Sequence, residues 1–236
     1  MYNPWKDSKN LKNRSGFGCL MPKNTIMVFC AHPDDEIIGM GGSIARYADE
    51  GKDIITVIFS YGEKSHLWLK EHHTVRMRTK ECRKAAGIVG IRETIFLGFR
   101  DTRLSKEVKT REAFEKVENI IRKYRPAKIF THSIDDIIYP DHKAVHNLVV
   151  KVTEEVGYKG ELYSFSIWNP ILVRKRNRPK LVVDISGTFD RKKKALGCFK
   201  SQKLALAQLL PGIYSKAVIH GQKAGVKYAE VFYKIR

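Results

Sequence analysis

The 236 residues predict a single α/β domain, Rossmann-like, in which a mostly parallel sheet is flanked by helices. Three observations lead there. Apolar runs of strand length alternate with longer segments whose apolar residues fall on one helical face, the pattern of successive βαβ units. At 43% hydrophobic composition the chain can fill one sizeable core, and no linker interrupts it. The acidic and imidazole clusters follow apolar runs, as expected where ligands bind outside the carboxyl ends of the strands of an open sheet.

Strands are expected at about 25–30, 53–60, 94–97, 127–132, 161–167 and 180–185, and helices at 37–50, 74–89, 107–124 and 143–156. Residues 1–22, rich in Lys, Asn, Ser and Gly, precede the first strand as an arm that Trp5 and Phe17 could anchor, leaving 23–236 as the domain. Ile26-Met27-Val28-Phe29 reads as a buried strand. The helix after it ends at Gly51, a plausible C-cap, and contains Gly39, Gly41 and Gly42, each about 1 kcal/mol less favourable than Ala. Close packing against the sheet explains them. They form no dinucleotide fingerprint, because an acidic cluster stands where a phosphate needs bare backbone amides. Ala127 to His132 forms the fourth run, and Ser164 to Ile167 leads into Trp168, an aromatic at the same edge. Two basic runs, Arg174 to Lys180 and Arg191 to Lys194, flank the last expected strand; the first reads as a solvated loop and the second as an exposed helix start.

Phe29-Cys30-Ala31-His32-Pro33-Asp34-Asp35-Glu36 places an imidazole and three carboxylates directly after the first strand. His32 and Asp35 are three residues apart with Pro33 stiffening the turn, so both can converge on one ion while Asp34 points elsewhere. The plain alternative is a helix N-terminus, where such carboxylates stabilise by about 0.3–1 kcal/mol each with no metal. A catalytic zinc takes three protein ligands and keeps a position for water. The second cluster, Asp135-Asp136-Ile137-Ile138-Tyr139-Pro140-Asp141-His142, supplies His142 as the third. Asp34 is then free to act as a general base in metal-assisted hydrolysis. His132 lies inside a strand end and suits a structural hydrogen bond; His66, His72 and His73 are spare.

These residues resemble the PIG-L/LmbE-like zinc de-N-acetylases, which include archaeal diacetylchitobiose deacetylases and act on N-acetylglucosaminyl amides. The resemblance is carried by Ala31 to Glu36 and by Pro140-Asp141-His142. Weaker matches follow in order: Tyr61-Gly62-Glu63, Arg78 with Glu81 and Ala85, Leu97 to Asp101, and Gly221 to Phe232 with Tyr228-Ala229-Glu230. It implies Zn2+ on His32, Asp35 and His142, Asp34 as the base that later protonates the leaving amine, and Asp141 as a buttress of the machinery. It also implies that Arg78 and Asp101 lie near sugar hydroxyls, and Trp168 is a candidate pocket wall. One position departs: Tyr139 stands where the family commonly has a His that holds the oxyanion. Tyrosine donates a hydrogen bond but carries no positive charge near neutral pH, and loss of an oxyanion donor costs about 100–1,000-fold in rate. His220 is the candidate substitute, by analogy with relatives that supply such a His from a neighbouring subunit, so a homo-oligomer is expected.

The formal charge of +19 raises nucleic acid or anionic lipid as partners. The basic residues are widely spread and lack interleaved aromatics for base stacking, so a phosphate- or lipid-linked amino sugar suits them better than nucleic acid. The nucleic-acid module remains the alternative of a different class, and a zinc amidase on another small amide the alternative within enzymes. Cys19, Cys30, Cys82 and Cys198 show no paired spacing and suggest free thiols in a reducing compartment. No apolar run is long enough to span a bilayer and no apolar signal core opens the chain; a cytoplasmic location is expected.

Overall fold

In a computed structural model, residues 24–65, 69–136, 140–167 and 179–236 are described. The N-terminal arm with Trp5, Phe17 and Cys19, together with His66, Trp68, Tyr139, Trp168 and Arg174 to Arg178, lies outside them.

The strands β1 (Thr25–Cys30), β2 (Asp53–Ser60), β3 (Glu93–Phe99), β4 (Lys128–His132), β5 (Glu161–Phe165), β6 (Lys180–Asp184) and β7 (Ala229–Lys234) form a seven-stranded sheet in the order β3-β2-β1-β4-β5-β7-β6. The pairs among β1 to β5 are parallel, and β7 enters antiparallel between β5 and β6. Every residue of β1 is buried. Its side chains alternate between two cores: Ile26, Val28 and Cys30 face one layer and Met27 and Phe29 the other. Continuous hydrophobicity in a central parallel strand follows from this two-sided burial.

The first layer contains α1 (Asp35–Asp49), α2 (Glu71–Val89), α6 (Phe189–Leu196) and α7 (Lys203–Ala224); the second contains α3 (Leu104–Glu107), α4 (Arg111–Tyr124) and α5 (Pro140–Glu155). The expected helix over 107–124 is broken, because the Thr110 hydroxyl accepts from Ala113 N at 3.3 Å and starts α4 afresh. The α1 glycines do let the sheet approach. A Cβ on Gly39 would lie 2.4 Å from the Phe165 ring, and one on Gly42 2.8 Å from Ile185.

The run Arg191 to Lys194 is not uniformly exposed. Lys192 is buried and pairs with Glu230 of β7 at 2.5 Å, while donating to Ile38 O at 2.8 Å. Glu230 also accepts from Ser43 N and its hydroxyl at 2.7 and 2.6 Å, so one carboxylate ties β7 to α1 and α6. The described cysteines Cys30, Cys82 and Cys198 are free and buried.

Candidate metal centre and catalytic carboxylates

Parallel β1 and β4 are neighbours, so the loops leaving both arrive at one edge of the sheet. His32 follows β1, Asp35 opens α1 and His142 lies in the first turn of α5. Each of the three offers a ligand atom within 4.8 Å of the others. Asp35 Oδ2 accepts from His32 N at 2.8 Å, which turns its carboxylate back over the β1 exit. Its Oδ1 faces His142 Nε2 at 3.5 Å, and Oδ2 is 3.7 Å from His32 Nδ1. Two imidazoles and one carboxylate fit a divalent ion such as zinc with a position left open for water.

Two further combinations share these histidines: His132 with Asp136 and His142, and His32 with Asp101 and Asp141. One nitrogen of His32 faces two further carboxylates, for its Nε2 is 2.9 Å from Asp101 Oδ1 and 3.6 Å from Asp141 Oδ2. Asp101 Oδ2 also accepts from Lys64 N at 3.3 Å, and Asp141 Oδ1 from Ser105 N at 3.2 Å. His132 makes the structural bond expected of it, accepting from Ala31 N at 2.9 Å.

Asp34 is held outside the His-Asp-His set. Its backbone φ of 134° lies in the left-handed half of the map, uncommon for a non-glycine residue. Three contacts fix it there. Asp34 N donates to Glu36 Oε2 at 3.2 Å, Arg78 Nη2 donates to Asp34 Oδ2 at 3.0 Å, and the same Nη2 donates to Pro33 O at 2.8 Å. Arg78 is 4% exposed, so it lies behind the Asp34 carboxylate, where its Nη1 also donates to Gly62 O at 3.3 Å in the loop after β2. A Cβ on Gly62, whose φ is +63°, would fall 1.9 Å from Arg78 Nη1, so glycine there serves both the turn and the guanidinium.

Burial and mutual charge set the protonation of the cluster. Desolvation raises the Asp34 carboxyl to about 6 against the pull of Arg78. Burial also disfavours a charged Asp35, but the neighbouring imidazoles, His142 first, hold it well below the usual carboxylate range. For His32 and His142 burial favours the neutral ring, yet their carboxylate neighbours hold them up at about 10 and about 9. Fully buried Glu36 is pushed to about 8, chiefly by desolvation.

His220 lies near the end of α7. Burial and the charges of Lys216, Lys223 and Lys180 hold it below the usual imidazole range. Sequence reasoning left Asp136 and Glu36 unassigned. Their place in the two acidic motifs was the available signal, and only the fold reveals what each faces.

A profile of the PIG-L family, described as GlcNAc-PI de-N-acetylase, matches residues 27–153. The probable N-acetyl-α-D-glucosaminyl L-malate deacetylase 2 of Bacillus cereus is 27% identical over 198 residues, covering 80% of this chain and 87% of its own length. The 4-oxalmesaconate hydratase of Pseudomonas putida is 28% identical over 201 residues, covering 77% and 75%. The solved structure of N,N'-diacetylchitobiose deacetylase from Pyrococcus horikoshii has a TM-score of 0.75 at 24% identity, over 90% of this chain and 84% of that one.

Proposed function

Because the chain belongs to the PIG-L family of GlcNAc-PI de-N-acetylases, we propose that it hydrolyses the N-acetyl amide of an amino sugar of the N-acetylglucosamine type. The products are acetate and a free amine. One observation carries the reading: His32, Asp35 and His142 bring ligand atoms within 4.8 Å of one another while the adjacent Asp34 is kept apart on Arg78. His32, Asp35 and His142 would hold a divalent ion, with Zn2+ the first candidate. When bound there, such an ion polarises the acetyl carbonyl and lowers the pKa of a water toward about 7.

Asp34 then has two tasks. As a carboxylate it takes a proton from the attacking water while the new C–O bond forms at the acetyl carbon. As an acid it returns that proton to nitrogen when the C–N bond breaks, so the amine leaves neutral. A carboxyl shifted to about 6 is suited to both directions near neutral pH. Asp101 and Asp141 flank His32 on its less buried side, where a sugar hydroxyl can approach, and Tyr139, Trp168 and His220 complete the proposed substrate side.

Acetate release from N-acetylglucosamine and its oligosaccharides, measured with chelator and with added zinc, tests this. Chelator-sensitive release is the expected result. The hydratase relative favours a second reading, water addition to an unsaturated acid. Turnover of 4-oxalmesaconate without acetate release from any sugar would establish that reading and overturn the first.

A further inference from the structure

We infer that Asp136 is the positioning residue of the metal centre, fixing the ring of His142 so that its Nε2 is presented to the ion. The inference rests on His142 being a metal ligand. Asp136 is 0% exposed, and its Oδ2 lies 3.3 Å from His142 Nδ1. The carboxylate is anchored independently of that ring. Ser166 Oγ donates to Oδ1 at 2.7 Å, Ile167 N donates to both oxygens at 3.2 and 3.1 Å, and Asp136 N donates to Ser133 O at 3.2 Å.

The two nitrogens of His142 therefore face opposite carboxylates, Nδ1 toward Asp136 and Nε2 toward Asp35 at 3.5 Å. A proton held on Nδ1 by Asp136 leaves the Nε2 lone pair on the side of Asp35 and His32. A carboxylate bonded to the far nitrogen of a ligating imidazole fixes its tautomer and raises its basicity. Direct ligation by Asp136 is the competing arrangement, with His132 and His142. It is disfavoured because the His132 Nε2 lone pair already accepts Ala31 N–H at 2.9 Å. Asp136 itself is occupied by the Ser166 hydroxyl and the Ile167 amide. His132 instead supports the ring face, stacking on His142 with centroids 3.9 Å apart and planes at 17°.

Asp136→Asn keeps the size and one acceptor but removes the charge. Its affinity for Zn2+, measured on the full chain by competition with a chromophoric chelator, is expected to fall roughly 10–100-fold. The thermal midpoint of the metal-free protein and the Co2+ absorption spectrum are read alongside. A merely structural role would lower the midpoint and leave affinity and spectrum as in wild type, and that result overturns the inference. Should Asp136→Asn not fold, Ser166→Ala removes the shortest anchor of the carboxylate. Several-fold weaker Zn2+ binding supports the inference, and wild-type affinity overturns it. His142→Ala separates the two levels. Loss of metal there with unchanged affinity in Asp136→Asn sinks the positioning role alone, whereas retained metal in His142→Ala sinks the ligand assignment beneath it.

Discussion

Asp34 combines a backbone φ of 134° with a buried carboxylate and a single guanidinium partner. Residues in sparsely populated backbone regions cost about 1–3 kcal/mol and persist where the surroundings over-determine them; here Glu36 and Arg78 do so from opposite sides. Asp34→Ala is expected to keep metal, measured by elemental analysis, and to lose about 100- to 10,000-fold in kcat. Full activity in that variant would remove the base. The pH dependence has a definite sign. Burial raises Asp34 to about 6 and the base must be charged, so kcat/KM falls as pH drops through about 6. Arg78→Met removes the charge that opposes this rise, so the acid limb should move to higher pH, and breaking the buried pair should cost about 3–5 kcal/mol in urea unfolding. Metal uptake has the opposite partner groups. His32 and His142 carry protons up to about 10 and about 9, and a ligand must lose its proton to bind. Calorimetry in buffers of different ionisation enthalpy should therefore show proton release on zinc binding at neutral pH. The approach of His32 to Asp35 was legible from sequence because Pro33 and the three-residue spacing act locally. Asp136 was not, since its neighbours Ser166 and Ile167 come from beyond another helix and strand.

At the scale of elements, the alternation from β1 through α5 could be read directly, because both faces of each central strand are buried and the runs are continuous. The C-terminal third was harder. The apolar residues of α7 do not form one stripe, as Leu204 and Ile219 are exposed while Leu206 and Ala217 are buried. β7 pairs antiparallel with strands on both sides, a relation no local pattern encodes. What secures β7 to α1 and α6 is the carboxylate of Glu230, bonded to Lys192 and Ser43. Glu230→Ala leaves Lys192 charged and buried, and should destabilise by about 3–5 kcal/mol. Gly42→Ala presses a methyl group onto Ile185 and should cost about 1–3 kcal/mol. Both are read by urea unfolding of the metal-free protein. A loss of zinc affinity larger than the loss of stability in either variant would show that these contacts govern the centre as well as the frame.

Over the whole molecule, the charge of +19 contrasts with a centre built largely from carboxylates. Surface charge acts over about 8 Å at physiological ionic strength, so it can draw in an anionic aglycone without touching the amide. For amino sugars bearing a phosphate or carboxylate, kcat/KM should fall as salt rises, while neutral oligosaccharides should show little change. Equal salt response for both classes would leave the charge without a role in substrate capture. Among the described residues no helix is long and apolar enough to cross a membrane.

The adjacency of β1 and β4 has a temporal consequence. Ala31 and His132, bonded across that junction, are separated by 101 positions in the chain, and contacts of such separation form only after the loop between them has closed. A growing polypeptide that has emerged only through β3 carries His32 and Asp35 without their third partner. With His32, Asp35 and His142 as the proposed ligands, loading with metal would be a late event in the life of the chain, and the appearance of a Co2+ spectrum during refolding would time the moment at which its two halves meet.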